Sequence, residues 1–125
     1  MVPASMISPP SIAESVDTRV IAHLRELDEG GAPVIFLELI ALFNESTPSL
    51  LSQACNVVDD PARLAMIAHT IKGSCSNFGA HRMEALCLEL EQLGRQKTNQ
   101  GAREIIDAIE QEFLKVRVAL ASYCA

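Results

Sequence analysis

Apolar residues in this chain recur at helical spacing, and no segment alternates apolar and polar residues as a strand would. Val20, Ile21, Leu24 and Leu27 mark the apolar side of a short first helix, with Asp17 placed to cap it. The stretch Asp28 to Pro33, DEGGAP, ends that helix with two glycines and offers Pro33 to the first turn of the next. A second helix is expected from about Pro33 to Val57. Its first half, VIFLELIALF, is apolar nearly all round and should face more than one neighbour. Pro48 falls inside it, but Leu50, Leu51 and Ala54 resume the spacing, which predicts a kink and not a break.

Asp59, Asp60 and Pro61 then supply a cap, an acidic first turn and a proline start for a third helix, expected to reach Phe78 and stop at Gly79. A fourth helix runs from Ala80 to about Lys97, with Met83, Leu86, Cys87, Leu90 and Leu93 as its stripe. After the polar turn Thr98, Asn99, Gln100 and Gly101, a fifth carries Ile105, Ile106, Ile109, Phe113, Val116 and Leu120. Long amphipathic helices with short polar connections predict an all-α fold: an antiparallel up-and-down four-helix bundle with an additional short N-terminal helix. Residues 1–15 contain Pro3, Pro9, Pro10 and four serines and read as a flexible leader or linker, leaving 16–125 as the domain.

Composition narrows the function. A chain of 125 residues that is 49% apolar suits one domain with a real core. Ten basic against sixteen acidic residues, a net charge of −6, provide no basic stripe for nucleic acid. Cys55, Cys75, Cys87 and Cys124 are scattered without a C-x-x-C pair, so they read as reduced thiols, mostly core fillers, and not as a metal site. No uninterrupted apolar run is long enough to span a bilayer, and residues 1–10 lack a signal peptide's features. The expected setting is cytoplasmic, with no membrane contact by this domain.

The chemistry concentrates on the third helix. Leu64, Ile67, Ala68, Ile71 and Cys75 cluster within about 100° of arc, so His69 points roughly 140° away from that buried stripe. Lys72 and Gly73 lie three and four residues on, beside His69 on the next turn. A mid-helix glycine costs about 1 kcal/mol relative to Ala, and an outward one serves no core. An exposed imidazole, an adjacent ammonium and a cleared turn suit a phosphate carried on an imidazole nitrogen. The same residues also allow an ordinary solvated histidine, and both readings stand at this point.

The run AHTIKGSCSNFGA, Ala68 to Ala80, followed by Leu86, Cys87, Leu90 and Glu91, resembles the histidine-containing phosphotransfer (HPt) domain family. The family pattern H-x-x-K-G, a second glycine six residues on, and a closing L-E or L-Q is met by His69, Lys72, Gly73, Gly79 and Leu90-Glu91. The resemblance implies a phosphorelay intermediate in which His69 accepts a phosphoryl group from a receiver-domain aspartate and passes it to another. Lys72 would neutralise phosphoryl oxygens, Gly73 would give access, and Ser74 would add a hydrogen bond. It also implies a phosphocarrier and not an enzyme, without an ATP site or cofactor of its own, Mg²⁺ sitting on the partner receiver. Receiver domains, and a hybrid sensor histidine kinase, are the implied partners of a monomer.

Attack by Nε2 requires the proton on Nδ1, and Glu91, about 100° from its own helix's core direction, is placed to accept from Nδ1. A plain solvated Glu is the other reading. The expected docking surface comprises Ala65, Met66, Ser76 and Arg82, with Ala62 beside them; His81 reads as a solvated residue. A helical interaction module that is never phosphorylated is the competing function. Retention of His69, Lys72 and Gly73 argues against it.

Overall fold

The computed structural model describes residues 15–28, 30–31 and 33–124. The leader expected over residues 1–15 therefore lies outside the described residues except for Ser15, which is buried beside Val16. Among the described residues the elements are α1 (Thr18–Arg25), a 3₁₀ turn (Glu26–Asp28), α2 (Val34–Asn56), α3 (Pro61–Ser76), α4 (His81–Arg95) and α5 (Ala102–Ala121), with no strand.

Each start has a local cause. Asp17 caps α1 by accepting from the Arg19 N–H, and Asp60 caps α3 by accepting from the Arg63 N–H. For α2 the expected role of Pro33 is only part of the answer. Pro33 sits at the cap position, where it has no side-chain acceptor, and Asp28 takes over from across the loop. Its two carboxylate oxygens accept from the Ile35 and Phe36 N–H groups at 2.8 and 3.0 Å. Leu27, expected on the apolar side of α1, lies instead in the 3₁₀ turn and is exposed.

Consecutive long helices run antiparallel. Phe43 of α2 stacks near Phe78 just after α3, with ring centroids 5.2 Å apart, while Gln53 and Asn56 at the far end of α2 meet Arg63 and Met66 at the start of α3. Ser76 reaches Glu84 and His69 reaches Glu91, which fixes α3 against α4 in opposite directions. Phe43 also meets Phe113 at 5.3 Å, and Phe36 meets Tyr123, so α5 returns along α2. The core between the four is aliphatic and aromatic, with Leu64, Ile71, Leu90, Ile109 and Leu120 fully buried. Each such side chain is worth about 1.5–3 kcal/mol relative to exposure.

One reading of α2 stands and another changes. It continues unbroken through Pro48, as the resumed apolar spacing implies. It is also long and apolar enough, by length and composition, to cross a membrane, with a mean hydropathy of 1.4. Counting only uninterrupted runs hid this, because Glu38 divides the apolar stretch without much lowering its average. In the fold α2 is a bundle helix that buries Phe36, Ile40, Phe43, Thr47, Leu51 and Ala54. The apolar residues Val34, Ile35, Leu37 and Leu42 on its other sides are exposed.

The helix ends fall slightly short of expectation. α3 stops at Ser76, two residues before the predicted end, and α4 stops at Arg95. Gly79 turns the chain between them at φ +63°, and a Cβ there would sit 2.5 Å from the Asp17 Cβ. Farther along, Gly94 lets α3 lie close against α4. A Cβ on Gly94 would come within 2.5 Å of the Pro61 carbonyl oxygen and 2.8 Å of the Ala65 Cβ.

Candidate functional site

The close approach at Gly94 sets the site, because Glu91 lies one turn before it on the same helix. With α3 packed this tightly, Glu91 is covered and only 2% of its side chain is exposed. The reading of Glu91 as a solvated residue is thereby excluded by burial. An isolated carboxylate in that position would be costly, and the chain surrounds it with three partners. Lys72 Nζ donates to Oε1 at 2.6 Å, Arg95 Nη2 donates to Oε2 at 2.5 Å, and His69 Nδ1 lies 3.0 Å from the same Oε2. The Lys72 ammonium is the main reason the carboxyl is held below its usual range; His69 and Arg95 act in the same direction, and burial opposes them.

An ionised Glu91 can only accept, so Nδ1 of a neutral His69 must donate. That places the proton on Nδ1 and leaves the Nε2 lone pair free. The His69 side chain is 64% exposed. At Gly73, one turn on, a Cβ would meet nothing within 4 Å. No packing constraint therefore asks for glycine here, in contrast to Gly79 and Gly94.

The remaining sequence-derived candidates divide. Ala65, Met66, Thr70, Arg95, His69 and Glu91 line one shallow depression of about 380 Å³. Met66 is 70% exposed and forms the ridge to a second depression of about 340 Å³ that includes Gln53 and Arg63. Ser74 is half-buried, and its hydroxyl lies 3.5 Å from the Thr70 carbonyl oxygen on its own helix. Ser76 is exposed but donates to Glu84 at 3.0 Å. Arg82 is half-buried at the start of α4, away from the depression.

His81 is not simply solvated. Its Nε2 lies 3.1 Å from Asp17 and ties the cap of α1 to the α3–α4 corner. That contact, with Arg19 second, holds the Asp17 carboxyl well below the usual range. Cys75 and Cys87 are fully buried, Cys55 is half-buried and Cys124 is exposed. The Cys87 contact, with burial second, pushes the Cys75 thiol far up, so it stays protonated.

Sequence reading missed two residues. Arg95 follows Glu91 at i+4, a spacing that places the two side by side on a helix. Leu88 is exposed on α4 between Glu84 and Glu91, both of which contact α3, so it flanks the same face.

The family profile of the Hpt domain matches residues 38–119, a span that contains every group of this cluster. The chain belongs to the Hpt domain family. Histidine-containing phosphotransfer protein 2 of Arabidopsis thaliana is 26% identical over 103 residues, covering 78% of this chain and 66% of the relative. Pseudo histidine-containing phosphotransfer protein 2 of Oryza sativa subsp. japonica is 28% identical over 105 residues, covering 81% and 70%. The chain thus spans about two thirds of the length of these relatives. The fold is also that of a crystal structure of a histidine-containing phosphotransfer protein from maize, with a TM-score of 0.78 at 21% identity over 94% of this chain and 88% of that one. In this Hpt domain the imidazole, the buried carboxylate and both cations come from α3 and α4 alone.

Proposed function

We propose that His69 accepts a phosphoryl group from a receiver-domain aspartate and passes it to a second receiver. The observation that carries this reading is the arrangement at His69: Nδ1 is tied to a buried carboxylate while Nε2 is left free beside an unobstructed turn. In the forward step the Nε2 lone pair attacks the phosphorus of the aspartyl phosphate. The phosphorus–oxygen bond breaks and its electron pair stays on the receiver's carboxylate. Nδ1 keeps its proton, so the ring becomes cationic, and Glu91 stabilises that charge. The second transfer runs the same chemistry in reverse on another aspartate.

Phosphoryl transfer is chiefly positioning and charge neutralisation. The chain therefore acts as a carrier, with Mg²⁺ brought by the receiver and the high-energy phosphate made elsewhere. Met66 and Leu88 supply exposed apolar surface on either flank of His69, with Ala62, Ala65 and Thr70 as small neighbours. Such a patch around a charged centre suits transient docking of a receiver in the cytoplasm by a monomeric carrier.

The test is incubation with a phosphorylated receiver, followed by assay for acid-labile, alkali-stable phosphate. Wild type should take the label and His69→Gln should not. Equal labelling of both, or none in wild type, would favour an interaction module that carries no phosphate.

A further inference from the structure

Across the bundle from His69 lies a seam that the transfer chemistry does not use. α2 packs on α3, α3 on α4, and α4 on α5 where Gln92, Leu93 and Gln96 meet Ile105. The α2–α5 side therefore lies opposite the α3–α4 side that holds His69. A groove of about 310 Å³ runs along it, lined by Pro48, Ser52 and Cys55 from α2 and by Glu110, Leu114 and Arg117 from α5.

The seam is apolar well beyond the groove. Leu37 and Ala41 precede Pro48 by three turns and two, and continue its flank of α2. Val118 and Ala121 follow Leu114 by one turn and two on α5. All six are exposed, Leu114 at 46% and Val118 at 56%. An apolar strip rimmed by polar groups in this way marks a protein contact.

The charges on the rim say which protein. Glu110 and Arg117 stand on one flank of α5, two turns or about 10.5 Å of helix apart, with Leu114 between them. The ion pair on α5 joins Lys115 to Glu112 at 3.3 Å and involves neither. The Arg117 guanidinium lies 5.7 Å from the Phe113 ring centre at the floor of the groove. A stripe with an acid at one end and a base at the other is complementary to itself. Two copies of α5 laid antiparallel bring Glu110 of one opposite Arg117 of the other, twice over, and cross beside Leu114. Laid parallel, they would set glutamate against glutamate and arginine against arginine.

We propose that a second copy of this chain docks on the α2–α5 seam, its α5 antiparallel to the first about a two-fold axis beside Leu114. The apolar strip supplies affinity, and the two Glu110–Arg117 pairs set the direction. Both His69 side chains face away from the axis, so each copy stays open to a receiver. The pair and the monomeric carrier exchange by mass action, and transfer needs only the carrier. None of this depends on the reading of His69.

Sedimentation velocity of the full chain, from micromolar to millimolar concentration, is the test. Wild type should shift from monomer toward dimer as concentration rises. Glu110→Arg alone, or Arg117→Glu alone, sets like charges against each other at both ends of the contact and should weaken association about tenfold or more. Glu110→Arg combined with Arg117→Glu restores opposite signs and should associate as wild type does, which separates a lost contact from a lost fold. A wild-type chain that stays monomeric throughout overturns the proposal, as does association that either single reversal leaves unchanged. A double variant no stronger than the single ones overturns the antiparallel arrangement.

Discussion

Gly73 and Gly94 lie on facing helices, and the same substitution should have opposite effects on them. At Gly73 a Cβ meets nothing within 4 Å. Gly73→Ala therefore gains helix propensity without a clash, about 0.8–1 kcal/mol of stability. For a domain of this size that corresponds to a rise in Tm of about 3–5 °C. The same methyl stands where a phosphoryl donor must approach His69, so transfer from a phosphorylated receiver should slow by about tenfold. At Gly94 the added Cβ would lie 2.5 Å from the Pro61 carbonyl oxygen and 2.8 Å from the Ala65 Cβ. Backbone cannot move aside cheaply, so overpacking of about 1–3 kcal/mol should exceed the propensity gain. Urea or thermal unfolding followed by circular dichroism reads the stabilities, and rapid-quench phosphotransfer reads the rates. A Gly73→Ala variant that loses stability, or gains it while transferring at the wild-type rate, would refute the argument that function and not packing keeps this position bare.

Glu91→Ala removes the acceptor for Nδ1 and should slow phosphorylation about fivefold or more, in line with one hydrogen bond; single-turnover kinetics measure it. Glu91→Gln keeps an acceptor there and should be slowed less. The Glu91 carboxyl is held below its unfolded value of about 4.5, so its share of folding stability is complete above that pH and is lost as pH falls through the lower folded value. Glu91→Gln should therefore flatten the acid side of a plot of urea midpoint against pH. Asp28→Ala deprives the Ile35 and Phe36 N–H groups of their acceptor and should cost about 1–2 kcal/mol in urea unfolding, without altering transfer chemistry.

The sequence carried the helix order because each helix buries its own stripe. Leu64, Ala68, Ile71 and Cys75 are buried where the spacing puts them, and His69 faces outward on the same count. Caps that act over two or three residues, Asp17 and Asp60, were equally visible. What a helical count cannot supply is the neighbour lying along a flank. Glu91 sits about 100° from the core direction of α4, which alone is as compatible with solvent as with burial. It is buried because α3 lies across it, and α3 lies there because Gly94 has no side chain. The same limit concealed the partner of Lys72, which is 19 residues away in sequence, and the cap that Asp28 provides from seven residues upstream. Arg95 was within reach of sequence reasoning through its i+4 spacing. It lies four residues beyond the L-E pair that closes the family pattern, outside the motif itself.

A phosphate carried by His69 on Nε2, with Nδ1 still bonded to Glu91, would leave a direct signature. Long-range ¹H–¹⁵N correlation of the phosphorylated chain, combined with ³¹P NMR, reads both points at once. One phosphohistidine is expected, with phosphorus on Nε2 and the proton on Nδ1, and no such signal in His69→Gln. Phosphorus on Nδ1, or an unchanged signal in the variant, would contradict it.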